Sequence, residues 1–440
     1  MKFNIYPILY TASVLLFVAC KPSLEAPLPQ KGNIDVSNYV AVGSAVTAGY
    51  ADGALYYEGQ QFSFANILAG QFDQIGGIDF NTPFVPQNSN GISIVPNNSV
   101  TINAKFVLGM STDCRDTTSL GPIKLSPTET YGFFSTNVYS SSSPFNNMGV
   151  PNTKAIDVIT KGYANPFYQR MASHPTNASM LTDAMAQSPT FFSLLIGSDD
   201  VMAYAMAGGS AGSITSSTAF NIAIDSIVNG LTKNGAKGVI GNIPDLIDLP
   251  FFTTIPYNGL TLTQSLADQL NPLYAPLGMS FIAGDNPFVV ADADSTLGFR
   301  KIQPDEFLVL TTPLDSIKCY NWGSLKPIPE RFCLKKSEID AIQTTITNYN
   351  IKLRAVAQAK GLAFADVNAF YKKIKSGIVY NGVAINAEFV KGGVFSLDGI
   401  QLNPIGNAML ANEFIKAINQ TYSSTIQQVD VTKFRGVVFP

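Results

Sequence analysis

Polar side chains that could take part in catalysis follow apolar runs at three places in the chain. Ser44 comes directly after the run YVAVG, and the pair Asp199 and Asp200 follows the run FFSLLIGS. Asp398 lies near the C-terminus, in FSLDGIQLNP. A hydroxyl nucleophile requires a base whose pKa is near neutrality and an acid that orients this base. These residues are therefore the first candidates for a hydrolytic site.

The base is the difficulty, because the chain contains a single histidine, His174. It lies in the segment MASHPTN, far in sequence from Asp398. We expect His174 to have a surface or turn role, and no second imidazole is present to serve as a base.

The patterns around these residues favour an α/β fold. Residues 39–42 have the composition of a strand, Gly43 breaks it, and small residues up to Gly49 lead into a helix. Such a strand, tight turn and helix form the first crossover of a parallel sheet, whose strand ends hold the ligand in this fold class. Further strands are expected at 191–196, 238–243 and 362–367, and helices at 61–72, 218–233 and 335–359.

The segment GSAVTAGY at residues 43–50 resembles block I of the SGNH/GDSL hydrolases. In that family, Gly-Asp/Asn-Ser-Leu-Thr-Ala-Gly-Tyr carries the nucleophilic serine after the first strand. Gly43 matches the glycine and Ser44 stands at the Asp/Asn position. Ala45 stands at the position of the nucleophile and has no hydroxyl group.

Two further segments resemble the blocks that bind the oxyanion in this family. In GVPN, Asn152 stands where a glycine donates its backbone N–H, and an asparagine can adopt the same left-handed turn. In GSDD, Gly197 and Asp200 match the family pattern. Asp199 stands at the position of an asparagine whose amide donates to the oxyanion, and an ionised carboxylate there would oppose hydrolysis.

The segment DGIQLNP resembles block V, which supplies the acid and the histidine of the triad. Asp398 matches the acid, whereas Gln401 stands at the histidine position and cannot titrate. Of the positions carried over for the triad and the oxyanion hole, only Asp398 keeps the residue of the family.

The resemblance spans most of the chain and is closest to lipid-anchored members from Bacteroidetes. It implies a three-layer, flavodoxin-like parallel sheet flanked by helices at residues 36–425, with loop and β insertions at about 76–144 and 257–331 and a C-terminal tail at 426–440. It implies no cofactor and no metal. A cation held by Asp199, Asp200 and Asp398 is an alternative that the spacing does not demand.

The N-terminus has the features of a lipoprotein signal peptide at residues 1–19. Lys2 precedes an apolar run at 6–18, which is too short to span a bilayer, and FVAC ends in Cys20. We expect lipidation of Cys20, a tether at residues 20–35, and attachment to the outer membrane, on a face that the sequence does not decide.

Composition and cysteine content restrict the other classes of function. Without Lys2 the mature chain has 27 basic and 31 acidic residues, a net charge of −4, which argues against nucleic acid as a partner. Cys319 and Cys333 lie close together in sequence and are expected to form a local disulfide. Cys114 is left either free or paired with one of these two.

Three functions remain open from the sequence. The first is a pseudo-hydrolase that keeps its cleft for a ligand such as an acyl or acetylated glycan group, or for a partner protein. The second is an active ester hydrolase of the lipase or acylesterase type that uses a shifted nucleophile such as Ser44. The third is an interaction or assembly subunit at the outer membrane without a small ligand.

Overall fold

A parallel sheet forms the centre of the protein in the computed structural model, which describes residues 28–95, 101–380 and 382–440. The five strands of the sheet are β1 Tyr39–Gly43, β2 Asn147–Gly149, β3 Phe191–Leu195, β4 Lys237–Gly241 and β5 Ala363–Ala365. Their spatial order is β2-β1-β3-β4-β5, and all neighbouring pairs are parallel. The predicted α/β class is confirmed.

The strand order reverses between β1 and β3. The chain leaves β1 to form β2 on one side and returns to form β3 on the other, where Gly43 pairs with Leu195. In doubly wound sheets of this order, ligands bind in the crevice beyond the carboxyl ends of the strands at such a reversal. Ser44 and the segment 196–199 follow directly from these two strand ends.

Helices pack in two groups. The helices are α1 Phe64–Phe72, α2 Met180–Ala186, α3 Asp199–Met206, α4 Ser217–Leu231, α5 Lys336–Lys360, α6 Val367–Ser376 and α7 Pro404–Tyr422. One group contains α2, α4 and α5, with α3 against α5; the other contains α1, α6 and α7, and α7 also contacts β4 and β5.

Local sequence explains where several helices begin. Ser216 accepts a hydrogen bond from the N–H of Ala219 at the start of α4, and Asn403 caps α7 in the same way. Asp366 caps α6 by accepting a hydrogen bond from the N–H of Ala369. In α4 the buried positions recur at helical spacing from Phe220 to Leu231, which makes one face part of the core.

Shorter elements surround this framework. Short helical segments are Ala45–Ala48, Tyr57–Gln61, Ala155–Ile159, Pro166–Gln169, Pro250–Thr253, Gln264–Tyr274 and Leu314–Cys319, and 3₁₀ turns are Asp73–Ile75, Tyr131–Ser135, Leu246–Asp248, Ala275–Leu277, Glu330–Phe332 and Val431–Lys433. Two-stranded pairs are Ser93–Val95 with Thr101–Asn103, Phe106–Thr112 with Thr118–Lys124, Leu260–Leu262 with Gly284–Asn286, Val289–Ala291 with Phe299–Lys301, Phe307–Leu308 with Cys333–Leu334, and Ile378–Tyr380 with Val383–Ile385.

The regions expected as insertions, 76–144 and 257–331, contribute none of the described strands of the central sheet. The first contains a long β-ribbon, defined here as Phe106–Lys124. The second has a small core of its own, separate from the main one. Phe332 packs against both cores and joins the second insertion to the domain.

A disulfide bond joins the two insertions, and it is not the predicted one. Cys114, at the tip of the β-ribbon, is bonded to Cys319. The predicted bridge between Cys319 and Cys333 is wrong because Cys333 lies in a strand and is buried in the second core. That burial raises the pKa of its thiol to about 12.

Both ends of the described chain pack on the domain. Gln30 and Thr425 exchange hydrogen bonds beyond the end of α7, and Ile34 is buried. In the tail, Arg435 forms a two-pronged ion pair with Glu58. Cys20 and the predicted signal peptide lie outside the described residues. Within the described ranges, no helix is both long and apolar enough to cross a membrane.

Candidate functional site

The strand ends at the reversal approach each other closely because two positions carry glycine. A Cβ atom on Gly43 would overlap the Thr47 side chain and the carbonyl of Leu195. One on Gly149, at the end of β2, would overlap the backbone of Ala48. The turn that starts at Ser44 therefore sits directly against β2 and β3.

A small cavity lies between these strand ends. Its volume is about 30 Å³, and its lining includes Ser44, Ala45, Asp199 and Gln401. The structure thus brings together the residues that stand at the nucleophile, oxyanion and histidine positions of the proposed resemblance. A cavity of this size holds about two water molecules, so an ester substrate can enter only if the crevice opens.

Side chains from three other segments close the crevice. Tyr371 from α6, Ile400 from the loop before α7, and Leu246 and Leu249 from the segment after β4 all line the cavity. Tyr371 is buried, and burial together with the nearby charge of Asp398 raises the pKa of its hydroxyl. Leu246, Leu249 and Tyr371 could not be identified from the motifs, because they reach the site from other segments, whereas Ile400 lies within DGIQLNP beside Gln401.

Asp199 is the most perturbed acid that lines the cavity. Burial raises its pKa to about 7; the Ser44 hydroxyl and the N–H of Thr153 favour the charged form, whereas the charge of Asp200 disfavours it. Its Oδ2 atom is buried and has no hydrogen-bond partner. Asp199 is thus close to half protonated at neutral pH.

Asp200 has a structural role beside it. The side chain is fully buried, and Oδ2 accepts a hydrogen bond of 2.8 Å from the N–H of Ala155. Burial raises its pKa to about 6, and this hydrogen bond opposes the rise. Asp200 therefore ties the start of α3 to the short helix Ala155–Ile159.

Asp398 does not point to a base. Its Oδ1 accepts hydrogen bonds of 2.8 Å from the backbone N–H groups of Ile400 and Gln401, and Oδ2 accepts one of 2.9 Å from Gly53. Its carboxylate therefore contacts the main chain of Gln401, and the side chain of Gln401 receives none of these bonds. Asp398 fixes the loop that carries Gln401.

Asp52 makes the reciprocal connection. Its Oδ1 accepts from the N–H of Leu397 at 2.8 Å, and its own N–H donates to the Ser396 hydroxyl at 2.9 Å. Asp52 and Gly53 both have positive φ, 52° and 74°, so the Asp-Gly pair forms a tight turn. The Asp-Gly pair can be recognised in the sequence as a turn signal. The sequence does not indicate that this turn bonds to a loop 345 residues away.

Replacement of Asp398 by asparagine is expected to destabilise the protein by about 2 kcal/mol. The amide NH₂ of asparagine cannot accept a hydrogen bond, so a backbone N–H that donates to the Asp398 carboxylate in the wild type would lose its acceptor. The measurement is urea unfolding at pH 7, followed by circular dichroism. An unchanged midpoint would show that these three hydrogen bonds do not hold the loop.

Two other predicted positions lie outside the cavity lining. Asn152 has φ of 60°, the left-handed turn expected of it, and its side chain is exposed. His174 is exposed on a turn, where its carbonyl accepts from Asn177 and Ala178, so its expected surface role is confirmed. Gly197 also has positive φ, 118°, and lies directly before the lining residue Ser198.

The alternative of a cation held by Asp199, Asp200 and Asp398 finds no support, because the latter two accept from backbone N–H groups. Among the described residues, the three carboxylates that do converge are Asp292, Asp294 and Glu330. All three contact the ammonium group of Lys335, which takes the place a cation would have.

Neither a protein-family model nor a curated protein matches this chain. The chemistry of the site must therefore follow from its own residues. Its lining offers the Ser44 hydroxyl against the Asp199 carboxylate, as well as the hydroxyls of Ser198 and Tyr371, and contains no imidazole.

Proposed function

We propose that this protein is an SGNH/GDSL-hydrolase-like lipoprotein without serine esterase activity, which uses the crevice at its strand ends for binding. The observation that carries the proposal is the lining of the cavity. Ala45 and Gln401 occupy it together, and a serine hydrolase needs a hydroxyl and an imidazole at these positions.

The electrostatics of the cavity support the same proposal. A tetrahedral oxyanion needs hydrogen-bond donors, and losing one donor costs about 3–4 kcal/mol of transition-state stabilisation. Asp199 instead directs a buried acceptor oxygen there. The small volume of about 30 Å³ also leaves no space for an acyl group in this closed state.

The location is part of the proposal. We place the protein at the outer membrane, held by a lipid on Cys20, because the signal peptide ends in Phe-Val-Ala-Cys. The bond between Cys114 and Cys319 supports an exported protein, since disulfides persist in oxidising compartments. The resemblance implies an acyl or acetylated glycan group, or a partner protein of the outer membrane, as the ligand; the size and the acceptor oxygens of the cavity argue against the acyl group.

One observation favours a second candidate, an ester hydrolase with Ser44 as nucleophile. The Ser44 hydroxyl lies against Asp199, whose pKa of about 7 suits a general base. In this alternative Asp199 accepts the proton of Ser44 as its Oγ attacks the ester carbonyl, and later returns it to the leaving alcohol.

Hydrolysis of p-nitrophenyl acetate separates the two candidates. We expect the wild type, without its signal peptide, to be indistinguishable from buffer, because it has neither the serine nor the imidazole. The triple variant Ala45→Ser, Asp199→Asn, Gln401→His restores nucleophile, oxyanion donor and base, and should hydrolyse the ester at least about 100-fold faster than wild type.

The matched control is Ser44→Ala in the wild-type background. Turnover by the wild type that this substitution abolishes would establish the second candidate and contradict the first. Turnover by neither the wild type nor the triple variant would mean that the crevice does not have the geometry of a hydrolase site.

A further inference from the structure

The cavity contains two buried acceptor atoms that have no partner. Asp199 Oδ2 and Gln401 Oε1 are both inaccessible to solvent and both belong to residues of its lining. A buried acceptor destabilises the folded state when nothing donates to it. The two residues line the same space of about 30 Å³, so one occupant of that space would lie beside both.

The charges around the cavity determine the sign of that occupant. Asp200 and Asp157 both add negative charge near Asp199. The other groups that face the cavity are neutral: the hydroxyls of Ser44, Ser198 and Tyr371, and the amide of Gln401. No lysine or arginine is among the lining residues, and Lys154 is directed to the carbonyl of Ser213.

The polarity of the cavity is therefore opposite to that of an oxyanion hole. An oxyanion hole presents donors to an acyl oxygen, whereas Asp199 and Gln401 present acceptors. An acyl oxygen would be repelled there, and a group with N–H or O–H bonds would be attracted. A carboxylate acceptor strengthens this preference for a cationic donor, because charge-assisted hydrogen bonds are about twice as strong as neutral ones.

We propose that the cavity is a binding site for a hydrogen-bond donor, with a primary ammonium group held between Asp199 and Gln401. This inference rests on the proposed binding function and specifies its ligand: an amine or an amino sugar fits, and an acyl ester does not. The volume admits the tip of the ligand only, about the size of methylammonium.

The ionisation of Asp199 makes the affinity depend on pH. Its carboxyl group, with a pKa of about 7, is charged at pH 8 and mostly neutral at pH 5.5. The ammonium group should therefore bind more tightly at pH 8.

The test is thermal unfolding at pH 8 in methylammonium chloride, tetramethylammonium chloride or sodium chloride at equal ionic strength. Tetramethylammonium has the same charge but no N–H bond, and sodium reports a metal cation. We expect the unfolding temperature of the wild type to rise with methylammonium concentration by at least about 1 °C above the other two salts.

Two Asp→Asn variants make this result specific. Asp199→Asn should lose the methylammonium effect. Asp225→Asn, which changes a half-exposed carboxylate paired with Lys352, should retain it. Gln401→Leu should weaken the effect, since only one acceptor remains.

Equal unfolding temperatures in all three salts would overturn the proposal, as would an effect that Asp199→Asn retains. An equal rise in sodium chloride would assign the site to a metal cation instead. The outcome is independent of the hydrolysis assay: a wild type that cleaves esters refutes the proposed function, whereas a silent wild type with no response to methylammonium refutes only the ligand.

Discussion

Replacement of Asp199 by asparagine should stabilise the protein by up to about 4 kcal/mol above pH 7. The folded-state pKa of Asp199 is about 7, whereas its ordinary value is 3.8. Between these values the folded state binds more protons than the unfolded state, so stability falls as the pH rises from about 4 to 7. Above pH 7 the full penalty of the buried charge is present. Asparagine avoids it, and its NH₂ can donate to Gln401.

The measurement is urea unfolding of wild type and Asp199→Asn at pH 5 and pH 8. The stability difference should be about 4 kcal/mol at pH 8 and less than half of that at pH 5, where part of the penalty is already present. Asp200 remains in the variant, and because burial also raises its pKa, to about 6, some decline with pH should persist. Asp398→Asn is the control: it should lower the stability where Asp199→Asn raises it, since the Asp398 carboxylate accepts hydrogen bonds from N–H groups. Equal stability of wild type and Asp199→Asn at pH 8 would contradict the assignment of a buried, partly ionised acid.

Removal of the disulfide by Cys114→Ser with Cys319→Ser should cost about 2–5 kcal/mol. The two cysteines are 205 residues apart, so the bond restricts a very long loop in the unfolded chain. In the folded state the remaining connection at the ribbon tip includes an ion pair of 2.7 Å between Asp113 and Lys318. The Lys318 side chain of this ion pair is exposed, so the pair compensates for little of the stability that is lost with the disulfide.

The disulfide is tested by unfolding with and without dithiothreitol. Reduction should bring the wild type to the stability of the double variant and leave the double variant unchanged. Cys333→Ala is the control, because it should keep its response to the reductant. Peptide mapping provides the direct check: a fragment that links Cys319 to Cys333 instead of Cys114 would overturn the pairing.

Local patterns in the sequence were sufficient for the elements that carry the site. The strand at 39–43, the strand at 191–195 and the helix Lys336–Lys360 lie within a few residues of their expected positions. Strand composition and helical periodicity depend on neighbours in sequence, which is why they could be read directly. The cysteine pairing could not be, because it depends on where the β-ribbon folds in space.

The sequence indicated which residues meet at the site better than it indicated their hydrogen bonds and packing contacts. Ala45, Asp199 and Gln401 meet around one cavity, as the order of the motifs implied. The motif did not reveal that Asp398 binds the main chain of Gly53, or that Tyr371 helps to close the crevice. Both depend on contacts between segments far apart in sequence, and a matched residue type does not specify its hydrogen-bond partner.

The pairing of Gln30 with Thr425 places the start of the described chain beside the end of α7. Tyr422, at the end of α7, bonds to Gly238 and Ala363 at the amino ends of β4 and β5. The 19 residues of α7 extend about 28 Å from there to Asn403, beside the loop that carries Gln401. The N-terminal segment and the crevice thus occupy opposite poles of the domain. A chain suspended from a bilayer by its N-terminus would turn the crevice toward the aqueous compartment, within reach of soluble molecules and away from its own lipid leaflet.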